Sequence, residues 1–127
     1  MRARLNLAIG FGILILYCIN QFLLKPRIHG GFVHNHLNDI FASIILLAWS
    51  GLVSNGHRAE RRLRSLPGII ALITAASIVW EVITPAFLNT AIGDPIDAIC
   101  YFTGGLIFWF AHNHLIGNAE RENLESR

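Results

Sequence analysis

The residues of this sequence best suited to chemistry are acids that lie within or beside long apolar segments. They are Asp39, Glu81, Asp94 and Asp97. Charged groups are costly inside a bilayer and usually face a bundle interior or a water-filled cavity, so such acids are candidates for a binding site. Tyr101 follows Asp97 by four residues and shares its face of a helix. We expect these five residues to line one ligand-binding pocket.

Metal binding is a second chemistry that the sequence permits. His34, His36 and Asp39 carry imidazole and carboxylate groups of the kind that bind divalent metals. However, no HExxH or comparable signature is present, and histidines two residues apart point in different directions on a helix. The sequence therefore predicts no cofactor, and a divalent metal remains an alternative.

Structural roles compete with function for the same acids. Asp39 and Asp94 fall near helix starts, where a carboxylate caps free backbone N–H groups. Glu81 lies inside an apolar segment, where a carboxyl group that forms a hydrogen bond also stabilises helix packing. No serine or cysteine stands beside a histidine with an acid behind it, so nucleophilic catalysis has no support.

The elements that must position these residues are membrane-spanning helices. Hydrophobic residues make up 54% of the 127 residues and charged residues only 14%, against roughly 25% charged in soluble domains. Apolar segments of about 20 residues indicate an all-α, polytopic membrane protein. The four predicted spans are residues 5–24, 37–54, 67–88 and 95–114, in one domain of residues 1–117 that is followed by a charged tail, 118–127. We expect Pro85 to kink or fray the third helix, and Gly117 with the charged tail to end the fourth span. Beyond it, the tail is either a solvated helical extension or disordered.

Basic residues predict the orientation of the bundle. With four spans, eight basic residues lie on one side and two on the other. The eight are Arg2, Arg4, Arg58, Arg61, Arg62, Arg64, Arg121 and Arg127, and the two are Lys25 and Arg27. Lysine and arginine concentrate in cytoplasmic loops, so both termini should be cytoplasmic and the four acids should lie at the outer side. The basic residues form no aromatic-basic face, which argues against nucleic-acid binding.

Residues 80–85 and 93–105 read WEVITP and GDPIDAICYFTGG, and residues 36–39 at the start of the second predicted span read HLND. These segments resemble the VanZ-like family of small bacterial membrane proteins, which has an aspartate at the start of an earlier helix. Glu81, Asp97 and Gly104 or Gly105 match places that this family fills with a glutamate late in one helix, an aspartate and spaced glycines. Tyr101 stands where the family usually has an asparagine. The resemblance implies the bacterial inner membrane and a role in the cell envelope, and some members are linked to glycopeptide tolerance.

The resulting hypothesis is a membrane protein whose outward acidic pocket binds or acts on an envelope or lipid-linked component. Its partners would be membrane lipid and a lipid-linked or cell-wall ligand. Three alternatives stay open: a metal-assisted hydrolase or transferase, a small transporter that would need to form a homo-oligomer, and an assembly partner in which polar residues only hold helices together.

Overall fold

The computed structural model describes residues 2–28, 31–53, 65–88 and 94–125, and all regular structure in these residues is helical. Two of the helices continue into a π-helical turn, in which each N–H bonds to the carbonyl five residues earlier. In chain order the elements are α1 (Arg2–Ile19), the first π turn (Asn20–Leu24), α2 (Phe32–Asn35), α3 (Leu37–Val53), α4 (Leu66–Ile78), the second π turn (Val79–Ile83), α5 (Thr84–Phe87) and α6 (Pro95–Glu125).

Three of these helical stretches are long and apolar enough to cross a membrane. They are Asn6–Leu24, Phe32–Val53 and Leu66–Phe87, which correspond to the first three predicted spans. The fourth predicted span lies in α6, a helix of 31 residues whose apolar run is interrupted by small and polar side chains. Beyond the predicted end of the fourth span, α6 continues past Gly117 to Glu125, so the charged tail is a helical extension as far as that residue. One glycine costs a helix only about 1 kcal/mol, and the arginine and glutamate residues that follow it are good helix formers.

α3 lies at the centre of the packing, against α1 on one side and α6 on the other, and α4 packs against α6. The buried core consists of Ile44, Leu47, Ala48, Ile69, Ile73 and Phe108. Gly104 of α6 faces the backbone of α3, where an added Cβ would lie 2.5 Å from the carbonyl oxygen of Ile40. Small residues allow helices to approach this closely in membranes, so Gly104 sets the separation of α3 and α6.

The first π turn directly precedes a proline. The N–H of Lys25 donates to the carbonyl oxygen of Asn20 at 2.9 Å, and Pro26 follows. Proline lacks an N–H group and its ring collides with the carbonyl four residues earlier. Because a π turn widens the helix at this point, it removes that collision and turns Asn20 inward, where it is buried.

The second π turn has the same relation to Pro85. The N–H of Thr84 donates to the carbonyl oxygen of Val79, and the Thr84 hydroxyl donates to the same oxygen at 2.8 Å. The expected disturbance by Pro85 therefore takes the form of a π turn that contains Glu81, after which the helix continues as α5. We call the end of the bundle that carries both π turns and the first turns of α3 and α6 the polar end.

Candidate functional site

Three side chains from separate elements meet at the polar end of the bundle. His36 lies directly before α3, Asp39 in the first turn of α3 and Asp97 in the first turn of α6. His36 Nδ1 is 2.6 Å from Asp97 Oδ1, and one potential ligand atom from each of the three residues lies within 4.8 Å of the others. We call these three residues the His–Asp cluster.

Tyr101 completes this cluster from one helical turn beyond Asp97. Ligand atoms of Asp39 and Asp97 lie within 4.8 Å of each other, and Asp97 and Tyr101 are both near enough to Asp39 to interact electrostatically with its carboxyl group. Tyr101 can donate its hydroxyl proton to Asp39, whereas Asp97 brings a second negative charge. Two neighbouring carboxylates repel unless a proton or a cation lies between them. His36 supplies one positive charge only when it is protonated, so either a proton shared by the carboxyl groups or a bound cation relieves the repulsion.

The cluster is partly open. The side chains of His36 and Asp97 are 14% and 23% exposed, so a small group can reach them from outside the bundle. The carboxylates of the cluster attract a cation more strongly than they would in bulk water, because the surrounding protein lowers the effective dielectric constant.

Glu81 and Asp94 have a different role from the pocket acids that the sequence predicts. Glu81 Oε2 accepts a hydrogen bond from the backbone N–H of Asp94 at 2.7 Å. Asp94 in turn accepts a bond from the N–H of Ile96 through Oδ1 at 2.9 Å, as a residue that caps the start of α6 does. Both acids therefore hold the first turn of α6, and so they position Asp97.

The two histidines considered as metal ligands also separate. His36 belongs to the cluster, whereas His34 does not, and the buried Nδ1 atom of His34 has no hydrogen-bond partner among the residues that the structure describes. The reason is the geometry of the chain, because His34 lies within α2 and His36 lies beyond its end. Of the residues weighed from the sequence, Asp39, Asp97, Tyr101 and His36 come together.

An amide network that sequence reasoning missed supports the site from the other side. Asn20 Nδ2 donates to Asn38 Oδ1 at 2.7 Å, and Asn38 Nδ2 donates to Gln21 Oε1 at 2.7 Å. The network joins the first π turn to the first turn of α3, directly beside Asp39. Amide side chains inside predicted spans are the signal for such a bridge, because they hydrogen-bond across helices in membranes.

Comparison with known proteins finds no match: no family model, no curated protein and no solved structure corresponds to this chain.

Proposed function

We propose that this protein is a VanZ-like protein of the bacterial inner membrane that binds a cationic group of an envelope or lipid-linked component at its polar end. It crosses the membrane four times, with α6 as the fourth span and both termini in the cytoplasm. The polar end then faces outward. The residues quoted for the VanZ resemblance support this proposal, since Asp97 is part of the His–Asp cluster and Gly104 is the point of closest approach between α3 and α6.

The distribution of basic residues supports this orientation. Eight of the ten arginine and lysine residues belong to the N-terminus, the 55–66 connection or the tail, and only Lys25 and Arg27 belong to the opposite side. Fusions of alkaline phosphatase, which is active only outside the cytoplasm, test this. A fusion after Arg27 should be active, and fusions after Arg62 and Arg127 should be inactive. Activity after Arg127 would contradict four spans.

The observation that carries the proposed function is the convergence of His36, Asp39 and Asp97. Two carboxylates whose oxygen atoms lie within 4.8 Å of each other attract a cation. A primary ammonium group fits this site because it provides positive charge and three hydrogen-bond donors. Hydrogen bonds between charged partners are shorter and stronger than neutral ones.

Thermal unfolding of the purified protein in detergent tests this binding, with ethanolammonium chloride as the probe. A ligand that binds only the folded state raises its stability by about 2.7 kcal/mol at 100 times its dissociation constant. We expect a saturable rise in Tm for the wild type and little rise for D39N and D97N. Sodium chloride at equal ionic strength controls for screening. E120Q, which removes an acid from the distant tail, is the matched control variant. An equal rise in D39N, D97N and E120Q would contradict a site at the cluster.

A divalent metal is the second candidate for the same place, and one observation favours it. The cluster offers one nitrogen and two oxygen ligand atoms within 4.8 Å of one another. Three protein ligands with further positions left for water or substrate are typical of catalytic zinc sites. Such an ion would polarise a bound carbonyl or phosphoryl group or activate a water molecule.

The same unfolding assay separates the two candidates. If the site binds Zn²⁺, the metal raises the Tm of the wild type, EDTA reverses the rise, and H36N loses it while H34N retains it. If the site binds ammonium groups, ethanolammonium raises the Tm in the presence of EDTA. Since H36N retains both carboxylates, it should keep much of the ethanolammonium effect.

A further inference from the structure

An apolar groove begins beside the His–Asp cluster and runs along α3 toward the middle of the bundle. Its volume is about 470 Å³, within the range of roughly 300–1,000 Å³ typical of ligand pockets. Residues of α1, α3, α4, the second π turn and α6 line it, among them Tyr17, Ala42, Leu46, Trp49, Trp80 and Tyr101. All but a small part of the lining is apolar, so the groove suits a hydrocarbon chain.

The groove and the cluster are continuous through two features. Tyr101 lines the groove and also interacts with the Asp39 carboxyl group. Asp39, Ala42, Leu46 and Trp49 are spaced by three or four residues along α3, so they share one face of that helix. Ten residues separate Asp39 from Trp49, which corresponds to about 15 Å along the helix axis. A ligand with a charged end at Asp39 can therefore extend an apolar chain down to Trp49.

Charge complementarity indicates the head group of such a ligand. Asp39 and Asp97 belong to the cluster beside Tyr101, which lines the groove, so this end of the groove attracts a cation. Lys25 and Arg27 follow the first π turn at the same end of the bundle, so this end also carries positive charge that attracts an anionic group. A zwitterion with a terminal ammonium and an inner phosphate has both charges.

We propose that the groove and the His–Asp cluster together bind one phospholipid of the outer leaflet, with a primary ammonium head group at Asp39 and Asp97 and an acyl chain along α3. This proposal rests on the function proposed above and adds the class of ligand. With the polar end outward, the head group lies at the outer interface and the chain points to the bilayer centre, as for any lipid of that leaflet. The ammonium group of the bound lipid supplies the positive charge that the two carboxylates attract.

Contact quenching of tryptophan tests the proposal, because Trp49 and Trp80 line the groove and bromine on an acyl chain quenches a tryptophan that it touches. The protein in detergent is titrated with brominated phosphatidylethanolamine, and in parallel with brominated phosphatidylcholine, whose quaternary ammonium has no N–H donor. We expect half-maximal quenching at a several-fold lower mole fraction of the ethanolamine lipid. Trp109 lies outside the groove and should show no head-group preference.

Two kinds of variant separate the groove from the cluster. A42F places a ring in the groove and should abolish the preferential quenching. A111F adds the same ring to a different groove between α1 and α6 and should leave the quenching unchanged. The double variant D39N/D97N should lose the preference for ethanolamine lipid, whereas E120Q/E122Q, which removes two acids from the tail, should keep it. Circular dichroism confirms that each variant is folded.

Several outcomes would overturn the inference. Equal quenching of the wild type by both lipids shows that the groove holds unselected bilayer lipid. Weak quenching by both lipids shows that something else, such as a second copy of the chain, covers the groove. Ethanolammonium could raise the Tm of the wild type while A42F is still quenched preferentially by the ethanolamine lipid. In that case the cluster binds cations as proposed, and only the proposal of an acyl chain in the groove fails. If D39N/D97N loses neither the preference nor the Tm rise, the function proposed for the cluster fails as well.

Discussion

Replacing Gly104 with alanine should force α3 and α6 apart and disturb the cluster that they support. A Cβ at this position would lie 2.5 Å from the carbonyl oxygen of Ile40, whereas ordinary van der Waals contacts begin at 3.4 Å. The oxygen belongs to the backbone of α3, so it cannot rotate away as a side chain could. The Ser43 hydroxyl oxygen would lie nearer still, but it can rotate away. The contact with the Ile40 carbonyl oxygen is about 0.9 Å short of van der Waals distance, so the two helices must shift apart, and overpacking of this kind costs about 1–3 kcal/mol.

Gly12 of α1 provides the matched control, since an added Cβ there meets nothing within 4 Å. Both substitutions bring the same gain in helix propensity, up to about 1 kcal/mol. G12A should therefore be as stable as the wild type or slightly more stable. The difference between G104A and G12A isolates the steric cost, which we expect to be about 1–3 kcal/mol.

Unfolding by sodium dodecyl sulfate in mixed micelles, followed by far-ultraviolet circular dichroism, measures this difference. G104A should unfold at a lower mole fraction of the denaturing detergent than G12A. Because Asp39 and Asp97 lie on the two helices that separate, G104A should also lose most of the Tm rise caused by ethanolammonium. Equal unfolding curves for G104A and G12A would refute the close approach of α3 and α6.

Three further predictions concern the contacts that hold the polar end. N38A removes both hydrogen bonds of the amide network, so it should lower the free energy of unfolding by about 1–2 kcal/mol in the same detergent titration. N113A, the control, changes an exposed amide and should have no effect. P85A restores a backbone N–H group, so the second π turn should revert to α-helix and turn Glu81 away from Asp94. The amide resonance of Asp94 in NMR spectra should then shift, and an unchanged resonance would contradict the expected loss of the Glu81 bond. E81A should be less stable than E81Q by about 1 kcal/mol, because glutamine still offers an oxygen to the Asp94 N–H, and equal stabilities would argue against that bond.

The predicted spans agree with the observed helices where the apolar length of a segment is enough to specify a helix. Three long apolar segments became helices of membrane-spanning length, since a buried backbone must satisfy its hydrogen bonds internally. Local sequence also marked Pro85 as a disturbance. It did not show that a π turn would absorb this disturbance, because that depends on how Thr84 and Val79 pair across the widened turn. Sequence alone left open whether the tail extends the fourth helix, and α6 continues to Glu125 because one glycine is a weak stop signal.

The candidate site divides in the same way. Asp39, Asp97 and Tyr101 could be chosen from the sequence because polar residues in apolar helices seldom face lipid. Glu81 could be chosen on the same ground, but its bond to the backbone of Asp94 depends on the connection between the second π turn and α6. Asp94 caps α6, one of the two roles that its position allowed. His36 could not be ranked above His34, since α2 ends between them.

The sequence by itself predicted a helical protein with four membrane spans, three of which correspond to helices long and apolar enough to cross a membrane, and it indicated which acids are out of place in such segments. Periodicity and apolar length are sufficient for these conclusions because they depend on residues within one or two turns of each other. Only the tertiary structure decided which polar groups meet. His36 and Asp97 are 61 residues apart in the chain, and the packing of α3 against α6, set by the small volume of Gly104, brings them together.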